Sequence, residues 1–230
     1  VIAVIPARGG SKGLPEKNLK KIGDKMLVEW AIESAKKSGR FDEIILSTDS
    51  EKIGAVGLQN EVKFDKRPAE LSEDRSLVID TIRELWIRRF SQSPSETIFV
   101  LLEPTCPFRS KEWIEITIDK LIFEGFDSVA TFEELEISPD RIWKIKDDRP
   151  IPLLDDSDPF QPRQALSKAY RLNGAVYGFY PSKIPPSSTS TIFGSFYPLV
   201  TERGLTDDVD TENDLALANA IYNYGFNNYS

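Results

Sequence analysis

The sequence predicts an α/β protein built on a mostly parallel sheet with helices on both faces. Three observations carry that expectation. Apolar runs rich in β-branched residues, such as Val1-Ile2-Ala3-Val4-Ile5, lack polar alternation, as strands buried on both faces do. Segments with helical spacing of apolar residues stand between successive runs. At 230 residues and 40% hydrophobic content, the chain is long enough for one sizeable core.

Taken in order, the run at 1–5 reads as a buried strand. Met26, Leu27, Val28, Trp30, Ala31, Ile32 and Ala35 then recur at helical spacing, and 43–47 forms the next strand. A short helix at 51–56, a strand at 62–64 and a long helix at 77–90 follow. The strand at 97–102 precedes a helix at 111–123, and 128–132 is a further strand. Beyond it, "EELEISPDRIWKIKDDRPIPLLDDSDPFQPRQ" lacks regular apolar periodicity and is rich in Pro and Asp. That composition predicts a hairpin and loop insertion at about 134–170 rather than another strand–helix unit. Strands return at 174–180 and 196–200. Between them "PSKIPPSSTSTIFGS" is expected to be a mobile loop. A closing helix at 211–222 completes the pattern. No internal repeat is present, so a single domain over 1–230 carrying the insertion is the expected organisation.

Composition narrows the function. A net charge of −8 argues against general nucleic-acid or anionic-membrane binding, which needs an excess of Lys and Arg over a whole face. Any anion site must therefore be local. The single cysteine, Cys106, cannot form an intramolecular disulfide. The absence of histidine removes Ser-His triads, His general bases and His-ligated zinc. No apolar stretch approaches a membrane span, and the first residues form a core-like strand rather than a basic leader. A cytoplasmic protein is the expectation.

Against that acidic background, "IPARGGSKGLPEKN" at 5–18 stands out. Arg8, Lys12 and Lys17, with Lys20 and Lys21 just beyond, follow the end of the first strand. Ligands of parallel α/β sheets bind past the C-terminal ends of strands. Glycines let a backbone approach a ligand closely, and N–H groups with cationic side chains can surround phosphate oxygens. Neither G-x-x-x-x-G-K-[ST] nor G-x-G-x-x-G is satisfied, so on its own the stretch also fits a flexible loop with solvated lysines. Near the other end, "DDVDTEND" spaces Asp208 and Asp210 so that an extended backbone projects both carboxylates to one side, as a hard cation requires. The same residues can cap the following helix, with Thr211 and Asp214 as a capping box. The glycine of an EF-hand loop is missing.

Six stretches in order carry a resemblance over nearly the whole chain. They are "IPARGGSKGLPEKNLKKIGDKML", "ILSTDS" at 45–50, "KRPAELSED" at 66–74, "LLEPTCPFRS" at 101–110, "QPRQALSKAYRLNGAVY" at 161–177 and "DDVDTENDL" at 207–215. Together they resemble the acylneuraminate cytidylyltransferases, the CMP-sugar synthetases that activate sialic acid and related nonulosonic acids. The related Kdo synthetases look less similar because they lack the GGSKG form of the loop. The resemblance implies a Rossmann-like, three-layer nucleotide-diphospho-sugar transferase fold whose small insertion reaches across a homodimer and helps complete the partner's sugar site. It implies transfer of CMP from CTP to the anomeric hydroxyl of a nine-carbon α-keto acid sugar of sialic, legionaminic or pseudaminic type, with release of pyrophosphate.

Residue by residue, the resemblance assigns catalytic roles to Arg8, Lys12, Lys17 and Asp210, with the cations neutralising the triphosphate. It places Ala7, Gly9, Gly10, Ser11, Asn18, Arg67 and Ser76 in the nucleotide site, and Asp208 with Asp210 as the Mg2+ pair. Arg163 and Arg171 match positions at the acid-sugar site, where a guanidinium suits a carboxylate. Gln161, Asn173, Tyr177, Glu103 and, more loosely, Arg141 join them. Other roles fit some of these residues: a surface ion pair with Glu70 or Asp74 for Arg67, a solvated hairpin charge for Arg141, a core position for Tyr177. Glu103 departs from the glutamine common in the sialic-acid enzymes. A carboxylate accepts but cannot donate a hydrogen bond, which suggests a different nonulosonic acid. Cys106, without a His partner, is expected to be packing. With no histidine, a base must be a carboxylate, a metal-bound hydroxide or the substrate itself. A metal-dependent sugar-nucleotide glycosyltransferase and a non-catalytic nucleotide-binding paralogue share parts of this pattern, although a glycosyltransferase normally carries its D-x-D mid-chain.

Overall fold

A computed structural model describes residues 1–11, 13–73, 75–202 and 208–225. Strands β1 (Ile2–Pro6), β4 (Glu43–Thr48), β5 (Lys63–Lys66), β6 (Phe99–Leu101), β7 (Ser128–Glu134), β10 (Tyr170–Phe179) and β11 (Phe196–Thr201) form one sheet, in the order β11-β7-β10-β6-β1-β4-β5. The intervening β2 (Lys21–Ile22) and β3 (Lys25–Met26) pair as a small hairpin, as do β8 (Trp143–Lys146) and β9 (Arg149–Pro152). Within the large sheet every adjacent pair is parallel except those made by β10, which runs antiparallel to both β6 and β7. The sheet is thus mostly parallel, as the apolar runs predict.

The unbroken apolarity of the opening run has a direct cause. Ala3 and Ile5 enter the core on one face, with Val28, Ala31 and Ile32 of α1 (Leu27–Ser38), Ile53 and Val56 of α2 (Glu51–Gln59), and Ile114, Ile118 and Leu121 of α4 (Lys111–Phe123). Ile2 and Val4 enter the opposite core with Ile82, Leu85 and Phe90 of α3 (Val78–Phe90). Alternate residues of a strand face opposite sides, so both must be apolar when both are covered. Each buried Val, Leu, Ile or Phe among them contributes about 1.5–3 kcal/mol by leaving water. A third apolar cluster joins Leu14, Ile22, Leu27, Trp30, Phe108 and Val209 to Ala218 of α5 (Glu212–Gly225). It clamps α5 onto the β2–β3 hairpin.

Between β7 and β10 the β8–β9 hairpin is present where the Pro- and Asp-rich stretch predicts it. No residue from 134 to 172 is buried, and Ile137, Trp143, Ile145 and Phe160 lie exposed. The loop at 181–195 departs from expectation. β10 runs against its neighbours, so its end delivers this loop to the sheet edge opposite the C-terminal ends of β1, β4 and β6. There Arg83 donates to the carbonyls of Pro185 (2.8 Å) and Ser188 (2.6 Å), Lys183 pairs with Asp127, and Phe193 exchanges hydrogen bonds with Ser128. A loop fixed on that edge does not close over a ligand at the strand ends.

Candidate active site

Successive connections leave β1 and β6 in opposite directions, which opens a crevice beyond their C-terminal ends. A cavity of about 320 Å³ lies there, lined by Arg8, Lys17, Asn18, Arg67, Ser76, Glu103, Asp208 and Asp210 among others. Four separated segments therefore converge. Lys12 and Asp74 lie outside the described residues.

The cationic loop is held in place from below. Ala7 is buried, and its N–H donates to Ser47 O at 3.0 Å. Gly9 N donates to Asp49 Oδ1 at 2.8 Å, and Asn18, also buried, donates to Arg8 O at 2.9 Å. Asn18 thus holds the loop's backbone as well as lining the cavity. Gly10 is exposed and Ser11 half-buried. Gly13 is required by a close approach: a Cβ there would lie 2.7 Å from Asp210 O. Lys17 Nζ reaches Asp210 Oδ1 at 2.5 Å.

Arg67 is 7% exposed. It donates to Ser47 O at 2.8 Å and to Ser47 Oγ at 3.4 Å rather than pairing at the surface with Glu70. Burial lowers its hold on its proton, while Asp49 and Asp65 favour the charge and Arg8 opposes it. Ser76 Oγ donates to Glu70 O, which fixes this part of the wall.

The acidic wall is built by alternation. Val209 is buried in the α5 cluster, and the two aspartates flanking it both line the cavity. Val209 N donates to Thr105 O, fastening the segment to the loop after β6. The capping alternative also holds, because Asp214 Oδ2 accepts from Asp210 N, Thr211 N and Thr211 Oγ1. Burial pushes the Asp208 carboxyl up, and the Asp210 charge adds to the effect. Burial pushes Glu103 to about 7, with Asp208 adding like charge.

The residues expected at a sugar site divide. Arg141 and Arg163 line a separate cavity of about 570 Å³ in the insertion, with Glu134, Ile137, Ser138 and Lys168. Arg141 donates to the carbonyls of Pro159 and Gln161, so Gln161 is engaged through its backbone within the same insertion. Arg171 pairs with buried Glu133 at 2.5 Å and lies close enough to Asp208 to favour that carboxylate. Asn173 is buried at the bulge of β10, where it donates to Thr201 Oγ1 at 2.9 Å and accepts from Ala175 N at 3.2 Å. Tyr177 is half-buried near Glu103, and burial raises its hydroxyl. It packs against the β1, β6 and α3 core, as the core alternative holds. Within this chain, Arg141, Gln161 and Arg163 do not meet the first cavity.

Two further residues shape the site. Arg109 is buried, donating from Nε to Ala175 O, from Nη1 to Ser34 Oγ at 3.2 Å and from Nη2 to Glu103 O at 2.6 Å. It ties the loop after β6 to β10 and α1. Asp49 anchors Gly9. Both stand inside the quoted stretches "LLEPTCPFRS" and "ILSTDS", the signal that could have singled them out. Cys106 is buried, its Sγ donating to Asn173 O at 3.0 Å, and burial pushes the thiol well up, so packing describes it.

Among the described residues, no cluster of three or more His, Cys, Asp or Glu side chains is arranged to hold a metal, and no helix is long and apolar enough to cross a membrane. Residues 2–138 match the model of the family described as "Cytidylyltransferase". An N-acylneuraminate cytidylyltransferase of Streptococcus agalactiae is 32% identical over 218 residues, covering 93% of this chain and 51% of that protein. The chain thus spans about half the length of the first curated relatives it matches. A pseudaminic acid cytidylyltransferase of Campylobacter jejuni is 30% identical over 222 residues, covering 96% of this chain and 95% of that protein. Among solved structures, a CMP:2-keto-3-deoxy-manno-octonic acid synthetase complexed with CTP superposes with a TM-score of 0.71 at 16% identity. It covers 96% of this chain and 98% of the other, a likeness of fold. With its opening loop, its strand-end crevice and this matched segment, the chain belongs to the cytidylyltransferase family.

Proposed function

We propose that the protein transfers CMP from CTP to the anomeric hydroxyl of a nine-carbon α-keto acid sugar, releasing pyrophosphate. The observation that supports this best is the convergence on one cavity of Arg8, Lys17 and Arg67 with Glu103, Asp208 and Asp210. In this reading the anomeric oxygen attacks the α-phosphorus, and the bond to the bridging oxygen of pyrophosphate breaks. Arg8 and Lys17, with Lys12, neutralise the leaving group's charge, which such chemistry depends on more than on covalent catalysis. Arg67 and Ser76 orient the nucleotide, and the loop backbone at 7–11 lies beside its phosphates.

Asp208 and Asp210 fit Mg2+: both are hard oxygen donors on one side of an extended segment, and Mg2+ is commonly held by one or two carboxylates plus substrate phosphates and water. When bound, the ion would draw charge from the phosphate oxygens. The relatives named for sialic and pseudaminic acid support a nonulosonic acceptor. Glu103 lines the cavity, Arg171 lies close to Asp208 and Tyr177 near Glu103, which supports an acceptor bound beside them, and Glu103 in place of glutamine selects among acceptors.

The exposed apolar residues of the insertion need cover, so a second copy of the chain would bury Ile137, Trp143 and Ile145. That homodimer would also carry Arg141, Gln161 and Arg163 toward the partner's site. A cytoplasmic setting, where CTP is available, suits the activity. The test is pyrophosphate release from CTP with Mg2+ against N-acetylneuraminic, legionaminic, pseudaminic and Kdo acids. One clear winner among the nine-carbon acids is expected. Release with none, or hydrolysis of a preformed CMP-sugar instead, overturns the reading.

A further inference from the structure

The stretch "ILSTDS" has no part in the chemistry above, yet its turn lies directly beneath the cationic loop. Gly9 N donates to Asp49 Oδ1 at 2.8 Å, and a Cβ on Gly9 would fall 2.9 Å from Ser50 Cβ. The same turn receives Ala7 N at Ser47 O, Arg67 N at Thr48 O (2.9 Å) and the Arg67 guanidinium at Ser47 O. Asp49 is also the foremost charge favouring the Arg67 cation, against repulsion from Arg8. Asp49 is half-buried and is not among the residues lining the cavity. Its carboxylate therefore faces the back of the loop.

We infer that Asp49 is a positioning residue for the phosphate cradle: by holding the Gly9 N–H inward, it fixes the turn that presents Arg8, Gly10 and Ser11 to the nucleotide's phosphates. The inference rests on the reading that this loop receives CTP. Its physical basis is the Gly9-Gly10 pair. Glycine loses more conformational freedom on ordering than any other residue, so an unanchored Gly-Gly turn must be ordered by the ligand at the ligand's expense in affinity. A Cβ built on Gly10 would meet nothing within 4 Å among the described residues, so none of them packs against the turn on that side. Asp49 Oδ1 supplies the acceptor that holds the turn on the inner side.

Two variants separate the anchor from the charge. Asp49→Ala removes both, and is expected to raise KM for CTP about tenfold with kcat within about threefold of wild type. Asp49→Asn keeps an amide oxygen that can accept from Gly9 N–H, and is expected to stay within about twofold of wild type in both constants. Gly9→Ala leaves Asp49 intact but pushes the loop off Ser50, and is expected to reproduce the rise in KM even if Asp49→Ala folds poorly. Equal loss in the Ala and Asn variants would assign the effect to the negative charge and overturn the inference. An unchanged KM in Gly9→Ala would overturn it too. If the wild-type chain releases no pyrophosphate with any acid, calorimetry with inorganic tripolyphosphate alone still decides. Weaker binding by Asp49→Ala than by wild type and Asp49→Asn supports the anchor, equal binding refutes it, and no binding by wild type overturns both readings.

Discussion

Lys17 Nζ stands 2.5 Å from Asp210 Oδ1, one charge-assisted hydrogen bond joining residues 193 positions apart in the chain. It ties the loop after β1 to the segment before α5, and so joins the cationic and acidic walls of the cavity. The two walls are one unit, and changes to either should be felt in the other.

Asp210→Asn is therefore expected to lower pyrophosphate release about 10²–10³-fold, the size found when one preorganised electrostatic contact is removed from a transition state. Asp208→Asn should also raise the Mg2+ concentration needed for half-maximal rate. Steady-state kinetics across a Mg2+ series checks both. A rate within threefold of wild type for Asp210→Asn would remove that residue from the chemistry.

Arg67 is buried against Ser47, so its replacement affects both fold and ligand. Arg67→Met is expected to cost about 1–3 kcal/mol of stability, because buried acceptors lose a donor. It should also weaken CTP binding about tenfold or more. Thermal unfolding and calorimetry with CTP separate the two effects. Loss of stability with unchanged CTP affinity would leave Arg67 a structural residue only.

Glu103 carries a pH signature. Its ordinary value is 4.5, and burial holds it near 7 in the folded chain. As pH rises the unfolded chain ionises first, so between these values the native state holds more protons and stability falls. The penalty is absent below the lower value and complete above the higher one. Glu103→Gln removes it. In the absence of divalent ions the variant should be more stable than wild type at pH 8 by up to about 3 kcal/mol, and should match it near pH 4.5. Denaturant unfolding at the two pH values checks this. The same difference at both would show that the effect is packing rather than charge.

Asp214 accepts three hydrogen bonds at the start of α5 and fixes the backbone that carries Asp210. Asp214→Ala should cost about 1 kcal/mol of stability, the usual loss of a capping side chain. It should raise the Mg2+ requirement more than the KM for CTP. Parallel titrations of the two ligands would reveal it, and an equal rise in both would point to general loosening of α5.

The elements were legible because local patterns report local structure. Helix α4 begins after a Ser cap and keeps apolar spacing to Phe123, and β1 declares its two-sided burial by being apolar throughout. The β2–β3 hairpin was not legible, being two residues per strand. The position of the 181–195 loop was hidden for a different reason: it depends on the direction of β10, a tertiary property that the stretch at 170–179 does not carry. In the site, Arg8, Lys17, Arg67, Asp208 and Asp210 stood in quoted stretches and meet in the cavity. Their partners escaped notice. That Asp49 faces Gly9, or that Glu133 faces Arg171, follows from strand register, and no spacing within one segment announces it.

The contact between Gly13 and the Asp210 carbonyl has a consequence for the chain as it is made. β1 and its cationic loop precede the acidic wall at 208–210 by nearly two hundred residues, so they leave the ribosome well before it. A growing chain can therefore build most of its sheet while its cavity stays open on one side. Only once Asp210 has emerged could the proposed CTP be gripped from both sides. Nucleotide would then act as a late clasp between the loop after β1 and the segment before α5, two stretches far apart in sequence.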